Sequence, residues 1–335
     1  MLIVRPIKSE DCNAFVDFAA ATGVGHTNLP NHPQRLAQKI SHSELSFAAN
    51  IDQAGEEGYT FVMEDTQTTC LVGTCTVDAA VGLSEPFYSY RLDQVVHASS
   101  DLNINNRIPA LHMGHDYTGA SRLSSFYLEP DYRCNYYDQL LSKSRLLFMA
   151  CFPERFAATT IAEIKGVIDD QGVSPFWESV GRHFFSMDFA EADLLTGSSN
   201  KRFIANLMPR YPLYVPLLSD AAQSVISQHH DGVEDIVNIL EHEGLHFEGH
   251  VDIFDAGPIL EVRTRHIRAI RHAEQITVAI GDSVEHGKRV LVSNNSCLDF
   301  RCIIARKQGA ALILSEAQLE GLQVANGNTV TYCPL

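Results

Sequence analysis

The chain has 335 residues, more than one hydrophobic core usually organises, so two or three compact units are expected. Apolar residues make up 45% of it and charged residues 20%, the balance of a globular chain rather than a disordered one. A formal net charge of −16 disfavours a nucleic-acid or anionic-membrane partner, because phosphates call for Lys and Arg. No apolar run is long enough to cross a bilayer, and residues 1–30 lack a basic start with an apolar core. The expectation is therefore no signal peptide, no membrane span and a cytoplasmic location. Eight cysteines (12, 70, 75, 134, 151, 297, 302, 333) show no paired spacing, which predicts reduced thiols rather than a disulfide framework.

Residues 1–6 read as a strand ended by Pro6, and Ser9 with Asp11 opens a helix to about residue 21. A Gly-, Pro- and Asn-rich loop leads to a second helix over about 33–49. YTFVMED and CLVGTCTVDAAVG then form a hairpin. Residues 84–118 read as irregular, an insertion over one face. From 121 to 129 the chain alternates, with Leu123, Ser125 and Tyr127 on one face and Arg122, Phe126 and Leu128 on the other. Pro130 ends this strand. After a loop of about eight residues, Leu140, Leu141, Ser144, Leu147, Phe148 and Cys151 make the apolar stripe of a helix, with Lys143 and Arg145 outside it. A helix N-terminus held at a strand end presents free N–H groups, a usual seat for phosphate. TTIAEIKGVI reads as a strand, SPFWESVG as a short helix and RHFFSMDF as a strand. Residues 1–190 thus predict an α/β unit, a mixed sheet with helices on both faces.

A second, related α/β unit is expected over 191–270. It has a helix opened by Ser219 and Asp220, a helix closed by Gly244, and a strand–turn–strand over 245–262. Residues 271–335 alternate in short runs split by Gly and Asn, which predicts a small all-β unit.

His242-Glu243-Gly244-Leu245-His246 matches the HExxH zinc pattern in letters. That chemistry needs both histidines one turn apart on a continuous helix, and Gly244 falls where helical periodicity stops, so no metal is expected. His97, His112, His115, His229 and His230 read as individual polar or catalytic residues. His229 and His230 stand out because they follow a helix end in a turn beside Asp231 and Gly232. No GxSxG elbow, Walker loop or dinucleotide fingerprint is present.

Six stretches carry a resemblance to a known family. They are VGLSEPFYSYR (81–91), VVHAS (95–99), HDYTG (115–119), LLSKSR (140–145), GVIDDQGVSPFWESVGRHFFSMDF (166–189) and VDIFDAGP (251–258). Over essentially its whole length the chain resembles the arginine N-succinyltransferases, including the paired subunits of bacterial arginine/ornithine succinyltransferase. The resemblance implies a GNAT-type acyltransferase fold with succinyl-CoA as co-substrate, no permanently bound cofactor, and succinyl transfer to the α-amine of L-arginine in arginine breakdown. It puts Phe126 at the backbone contact with succinyl-CoA and the proton donor at His230, with His229 in place of an apolar residue of relatives. Arg133 and Lys143 are expected to help hold the CoA. Charge complementarity suggests Asp116, Asp169 and Asp170 for the guanidinium, and Arg91 or Arg122 for the succinyl carboxylate.

Two roles are compatible with that resemblance: a transferase acting alone or as a homo-oligomer, and a catalytically weak subunit supporting a homologous active chain. The chain departs from the family type at the pyrophosphate loop, Arg133-Cys134-Asn135-Tyr136-Tyr137-Asp138, where Tyr136 and Asp138 replace glycines. Tyrosine resists a positive φ. A carboxylate about 5 Å from a phosphate opposes binding by on the order of 3 kcal/mol at an effective dielectric of roughly 20. Weak CoA binding at this loop is the expectation.

Overall fold

The computed structural model describes residues 1–22, 29, 32–196, 207–209, 211–281 and 286–335. The strands, in chain order, are β1 (Leu2–Pro6), β2 (Gly58–Asp65), β3 (Cys70–Asp78), β4 (Ser89–Ser99), β5 (Ile104–Gly114), β6 (Ser121–Leu128), β7 (Thr159–Glu163), β8 (Leu213–Tyr214), β9 (His246–Val251), β10 (Pro258–Arg263), β11 (Glu274–Ile280), β12 (Lys288–Ser293), β13 (Cys302–Lys307), β14 (Leu312–Leu314) and β15 (Thr329–Pro334). They join in one sheet ordered β14-β11-β15-β12-β13-β1-β2-β3-β6-β7-β10-β9-β4-β5-β8. The β6–β7 and β11–β14 pairs are parallel, the others antiparallel.

Helices α1 (Cys12–Thr22), α2 (Pro33–Ala48) and α3 (Tyr137–Cys151) cover the middle of the sheet. Successive side chains of a strand point to opposite faces, and β2 shows both being filled. Val62 packs with Phe15, Phe18, Leu36 and Ile40 of α1 and α2, whereas Phe61 and Met63 join the core under α3. The centre of that core is Phe148 of α3. Its ring lies 5.1–5.5 Å from those of Phe47, Tyr59, Phe61 and Phe300.

Three sequence-based expectations are corrected. Residues 84–118 contain a regular hairpin of two 11-residue strands, β4 and β5, joined to the sheet through β9. The stretch RHFFSMDF is helical, in α5 (Gly181–Phe185) and the start of α6 (Phe189–Thr196), which follow α4 (Pro175–Ser179). Phe185 ends α5 and Phe189 begins α6, and both rings pack on Trp177, with centroids 5.2 and 6.3 Å away. The C-terminal unit is not all-β, since Glu316–Leu322 form a helix that buries Leu319 and Leu322 behind a Ser315/Gln318 capping box.

The HEGLH stretch divides as its glycine suggests. The helix Glu234–His242 stops there, Gly244 takes φ +100 and β9 begins at His246. Glu243 turns inward and meets Lys143 of α3 at 2.9 Å, with side-chain exposures of 1% and 2%. Lys143 also donates to the Pro334 carbonyl at 3.1 Å, and Glu243 accepts from the Ala269 N–H at 2.6 Å. Lys143, expected outside the stripe and on CoA, is therefore a core residue that ties α3 to β15 and to the segment before β11. Glu243→Gln leaves the Lys143 charge buried without its counter-ion and should lower the unfolding free energy by about 3–5 kcal/mol in urea melts. The Lys143→Met/Glu243→Leu pair should recover most of that loss. A single-variant effect below about 1 kcal/mol would show that the pair matters little.

Candidate active site

β6 and β7 share three residue pairs, Ser121–Thr160, Arg122–Ile161 and Leu123–Ala162. Past Leu123 they part. Across β6 on its other side, Thr74 faces Tyr127 and Thr76 faces Ser124, so Cys75 alone opposes Ser125 and Phe126. Two residues against one make a β-bulge, and Ser125 adopts φ +53 within it. A bulge disrupts the ladder locally, and Arg145 of α3 supplies donors there. Its Nη1 donates to the carbonyls of Thr76 (3.0 Å) and Ser124 (3.1 Å), and its Nε to that of Ser142 (3.1 Å). No carboxylate pairs with this buried guanidinium among the described residues, and burial lowers its pKa.

A cavity of about 300 Å³ opens between the parted strands. Its walls are β6 from Arg122 to Leu128, the segment from Ala162 to Lys165, the turn from Asp252 to Asp255, and Ile236 and Ile239 of the helix Glu234–His242. Arg133 and Asp138 line it at the start of α3. Arg122 is held by two carboxylates, donating to Asp78 at 2.9 Å and to Glu163 at 2.8 Å. Lys39 of α2 donates to the Ser125 hydroxyl at 2.7 Å. Burial draws the Lys39 ammonium down to about 8, against the pull of Asp78. Burial alone would raise the Asp78 carboxyl, yet Arg122 and Lys39 together hold it below the ordinary carboxylate range.

The segment Ile164–Gly166, which continues β7, is gripped from two sides. On one side, Asp255 accepts from the N–H groups of Gly166 (2.7 Å) and Gly257 (2.8 Å). A Cβ at Gly257 would stand 2.2 Å from the Ile164 carbonyl oxygen, so the turn can come this close only with glycine there. Asp252, in the same turn, accepts at Oδ1 from the N–H groups of Phe254 (2.6 Å) and Asp255 (3.1 Å). On the other side, the His230 N–H donates to the Lys165 carbonyl at 2.9 Å, and His229 bridges Gly166. His230 Nδ1 accepts from the Gly232 N–H at 2.9 Å, and Gly232 and Val233 line the cavity. A ring nitrogen accepting from a backbone N–H carries no proton, so the proton of the neutral ring sits on Nε2.

At the start of α3, Asn135 and Tyr136 both take left-handed backbone, at φ +54 and +67. The guanidinium of Arg289, from β12, lies 4.4 Å from the Tyr136 ring centroid. Asp138 Oδ1 accepts from the Gln139 N–H at 2.8 Å, inside the first helical turn.

The family model described as arginine N-succinyltransferase beta subunit matches residues 2–269. The chain is 44% identical over 333 residues to the arginine N-succinyltransferase subunit alpha of Pseudomonas aeruginosa, covering 98% of each chain. It is 41% identical over 333 residues to the arginine N-succinyltransferase of Escherichia coli, covering 98% of this chain and 96% of that one. The chain belongs to the arginine N-succinyltransferase family. Its fold superposes with a TM-score of 0.92 on the solved arginine/ornithine succinyltransferase subunit AI of Pseudomonas aeruginosa, at 42% identity and with 100% and 98% of the two chains covered. The parted parallel strands with a helix starting beside them lie within the fold shared with that subunit.

Within this succinyltransferase fold, Phe126 and Arg133 line the cavity, and His230 adjoins it through Lys165 and Gly232. Lys143 does not, being paired with Glu243. Arg122 lines the cavity with its charge already matched by Asp78 and Glu163. Asp116, Asp169 and Arg91 are absent from its walls. Asp116 is exposed and 3.4 Å from His250; Asp169 accepts from the Gln171 and Val173 N–H groups of its own turn; Arg91 faces Asp93 on the strand surface. Sequence reasoning passed over Arg145, Glu163 and Asp252. Two of these stood inside the stretches LLSKSR and VDIFDAGP, which marked the family without being read for chemistry.

The expectation that Tyr136 would refuse a positive φ is overturned, for the residue adopts one and stacks with Arg289. The other half of that argument has a structural basis, because Asp138 already occupies an N–H of the first turn. Asp138→Asn should therefore tighten succinyl-CoA binding by about tenfold or more in calorimetry, while Tyr136→Gly changes it little. Equal affinity in wild type and Asp138→Asn would remove the aspartate from the account.

Proposed function

We propose that this chain transfers the succinyl group of succinyl-CoA to the α-amine of L-arginine, in the cytoplasm, as part of arginine breakdown. The observation that carries the reading is the separation of β6 from β7 beside the N-terminus of α3, in a member of this family. The pantetheine arm would lie along Phe126–Leu128 as an added strand, pairing with backbone that β7 no longer meets. The pyrophosphate would approach Arg133 and the first turn of α3. The thioester would lie at the Ser125–Phe126 bulge, where Arg145 also lines the cavity and its charge would favour the oxyanion of a tetrahedral intermediate.

His230 is the proposed proton donor to the departing thiolate. As a neutral ring it offers only a hydrogen bond from Nε2. To deliver a whole proton it must first hold two, so the Gly232 bond opens as Nδ1 is protonated. Direct attack then needs no covalent enzyme intermediate, only alignment, oxyanion stabilisation and an acid.

A second reading is favoured by Asp138 at the phosphate end: a subunit that binds CoA weakly and works with a homologous chain. Thiol release from succinyl-CoA with L-arginine, L-ornithine and other amines, by the purified chain alone, separates the two. Turnover with arginine supports the first; turnover only after a homologous subunit is added supports the second. In an active preparation His230→Ala should lower kcat by about two to four powers of ten with only the small stability loss of one cap hydrogen bond, and His229→Ala should matter less. A His230→Ala variant with near-normal turnover would reassign the donor.

A further inference from the structure

We propose that Asp252 is the base of this reaction, binding the α-ammonium group of the acceptor amino acid through Oδ2 and taking its proton before attack. The inference rests on the succinyl-transfer reading and adds the residue that generates the nucleophile. An α-ammonium has no lone pair, so a thioester site for an amino acid needs an acceptor for that proton inside the cavity.

Five carboxylates line the cavity, Asp138, Glu163, Asp235, Asp252 and Asp255, with Asp78 of β3 beside Arg122. Asp138 sits at the start of α3 and accepts from the Gln139 N–H, and Asp235 is exposed on the helix Glu234–His242. Asp78 and Glu163 are taken by Arg122, and Asp255 has both oxygens on backbone N–H groups. Asp252 differs. Its Oδ1 is fixed by the Phe254 and Asp255 N–H groups, while its Oδ2 accepts no hydrogen bond among the described residues, and the residue lines the cavity. One oxygen anchors the side chain and the other remains for a ligand. Placement is equally constrained. The turn carrying Asp252 packs on one side of Ile164–Gly166 through Gly257 and Asp255, and His230 is fixed to the Lys165 carbonyl from the other. Base and acid thus both adjoin one short segment of the cavity wall.

The surroundings make Asp252 a stronger base than an ordinary carboxylate. Burial, followed by the charges of Asp255 and Glu163, raises the Asp252 carboxyl well above the ordinary carboxylate range. The groups facing it are Glu163 and Lys165 on β7 and its extension, Asp255 in its own turn and Tyr90 on β4; Arg122 offsets Glu163. An incoming ammonium is drawn toward this group of carboxylates.

The step balances. One proton passes from the α-ammonium to Asp252 Oδ2, and the freed lone pair forms the C–N bond at the thioester carbonyl carbon as the C–S bond breaks. The nitrogen's second surplus proton passes to His230 as the amide forms, replacing the one His230 gives the thiolate, and Asp252 returns its proton to solvent. Each turnover releases one proton net.

Asp252→Asn tests this, since asparagine keeps an oxygen for the Phe254 and Asp255 N–H groups. It should lower kcat by about two to four powers of ten with succinyl-CoA affinity within about threefold of wild type. Its kcat/KM should keep rising about tenfold per pH unit toward the pKa of the free amine, whereas wild type levels off earlier. Calorimetry of L-arginine with the CoA-loaded chain gives a readout independent of turnover, and the variant should bind about tenfold more weakly or worse. Unchanged arginine affinity, an unchanged pH profile, or a kcat within about tenfold of wild type overturns the assignment. Should Asp252→Asn fail to fold, the pH profile of His230→Ala decides: an acid limb above the ordinary carboxylate range supports Asp252, and its absence overturns it. Wild-type turnover in the same assay tests the succinyl-transfer reading separately.

Discussion

The site depends on two parallel strands parting after three residue pairs. β6 must stay bonded to β3 along its length, yet leave β7 at Leu123, and a single extra residue in its path reconciles the two. The bulge costs strain at Ser125, of order 1–3 kcal/mol for a non-glycine residue in left-handed backbone. Arg145 offsets the disrupted ladder by bonding the Thr76 and Ser124 carbonyls from α3. The same guanidinium therefore has a structural reason to be buried and a chemical one to be positive. Among the described residues no carboxylate pairs with it, while the neighbouring Arg122 has two.

Placing charge where water is scarce recurs through the molecule. Lys143 and Glu243 neutralise each other in the core, and Arg5 is forked onto Asp11 at 2.7 and 2.9 Å. At the cavity, Asp252 and Asp255 share one turn, and backbone N–H groups support both carboxyls. Backbone donors stabilise a carboxylate without filling the space beside it. A cationic group can enter that space, whereas a lysine side chain would have occupied it.

Most elements were legible because their periodicity is plain, as in the alternation of β6 and the apolar stripe of α3. The bulge was not, because Ser124 and Ser125 are both small and polar, so the alternation of letters continues across a break in register. Lys143 read as outward-facing, for a lysine is ordinarily solvated; only Glu243, a hundred residues later in the chain, reveals it as a core residue. The aromatic run at 183–189 has strand-like alternation, yet Phe185 ends one helix and Phe189 begins the next, both reaching Trp177. For the site, Phe126 and Arg133 line the cavity whereas Lys143, expected beside them on CoA, does not; of Asp116, Asp169, Asp170, Arg91 and Arg122, chosen by charge complementarity, only Arg122 lines it. Formal charge says nothing about which carboxylates are committed to their own turns.

The fifteen-stranded sheet ends in strands of three residues at β14 and two at β8. Where β8 stops covering β5, the next residue outward is Pro109, which has no N–H to offer, followed by Arg107 two positions on. Unpaired strand edges are templates for uncontrolled growth of sheets, and short ends, proline and charge suppress it. A sheet this wide is thus kept from extending itself by backbone pairing at these two margins, and a second chain would have to be recognised there by its side chains.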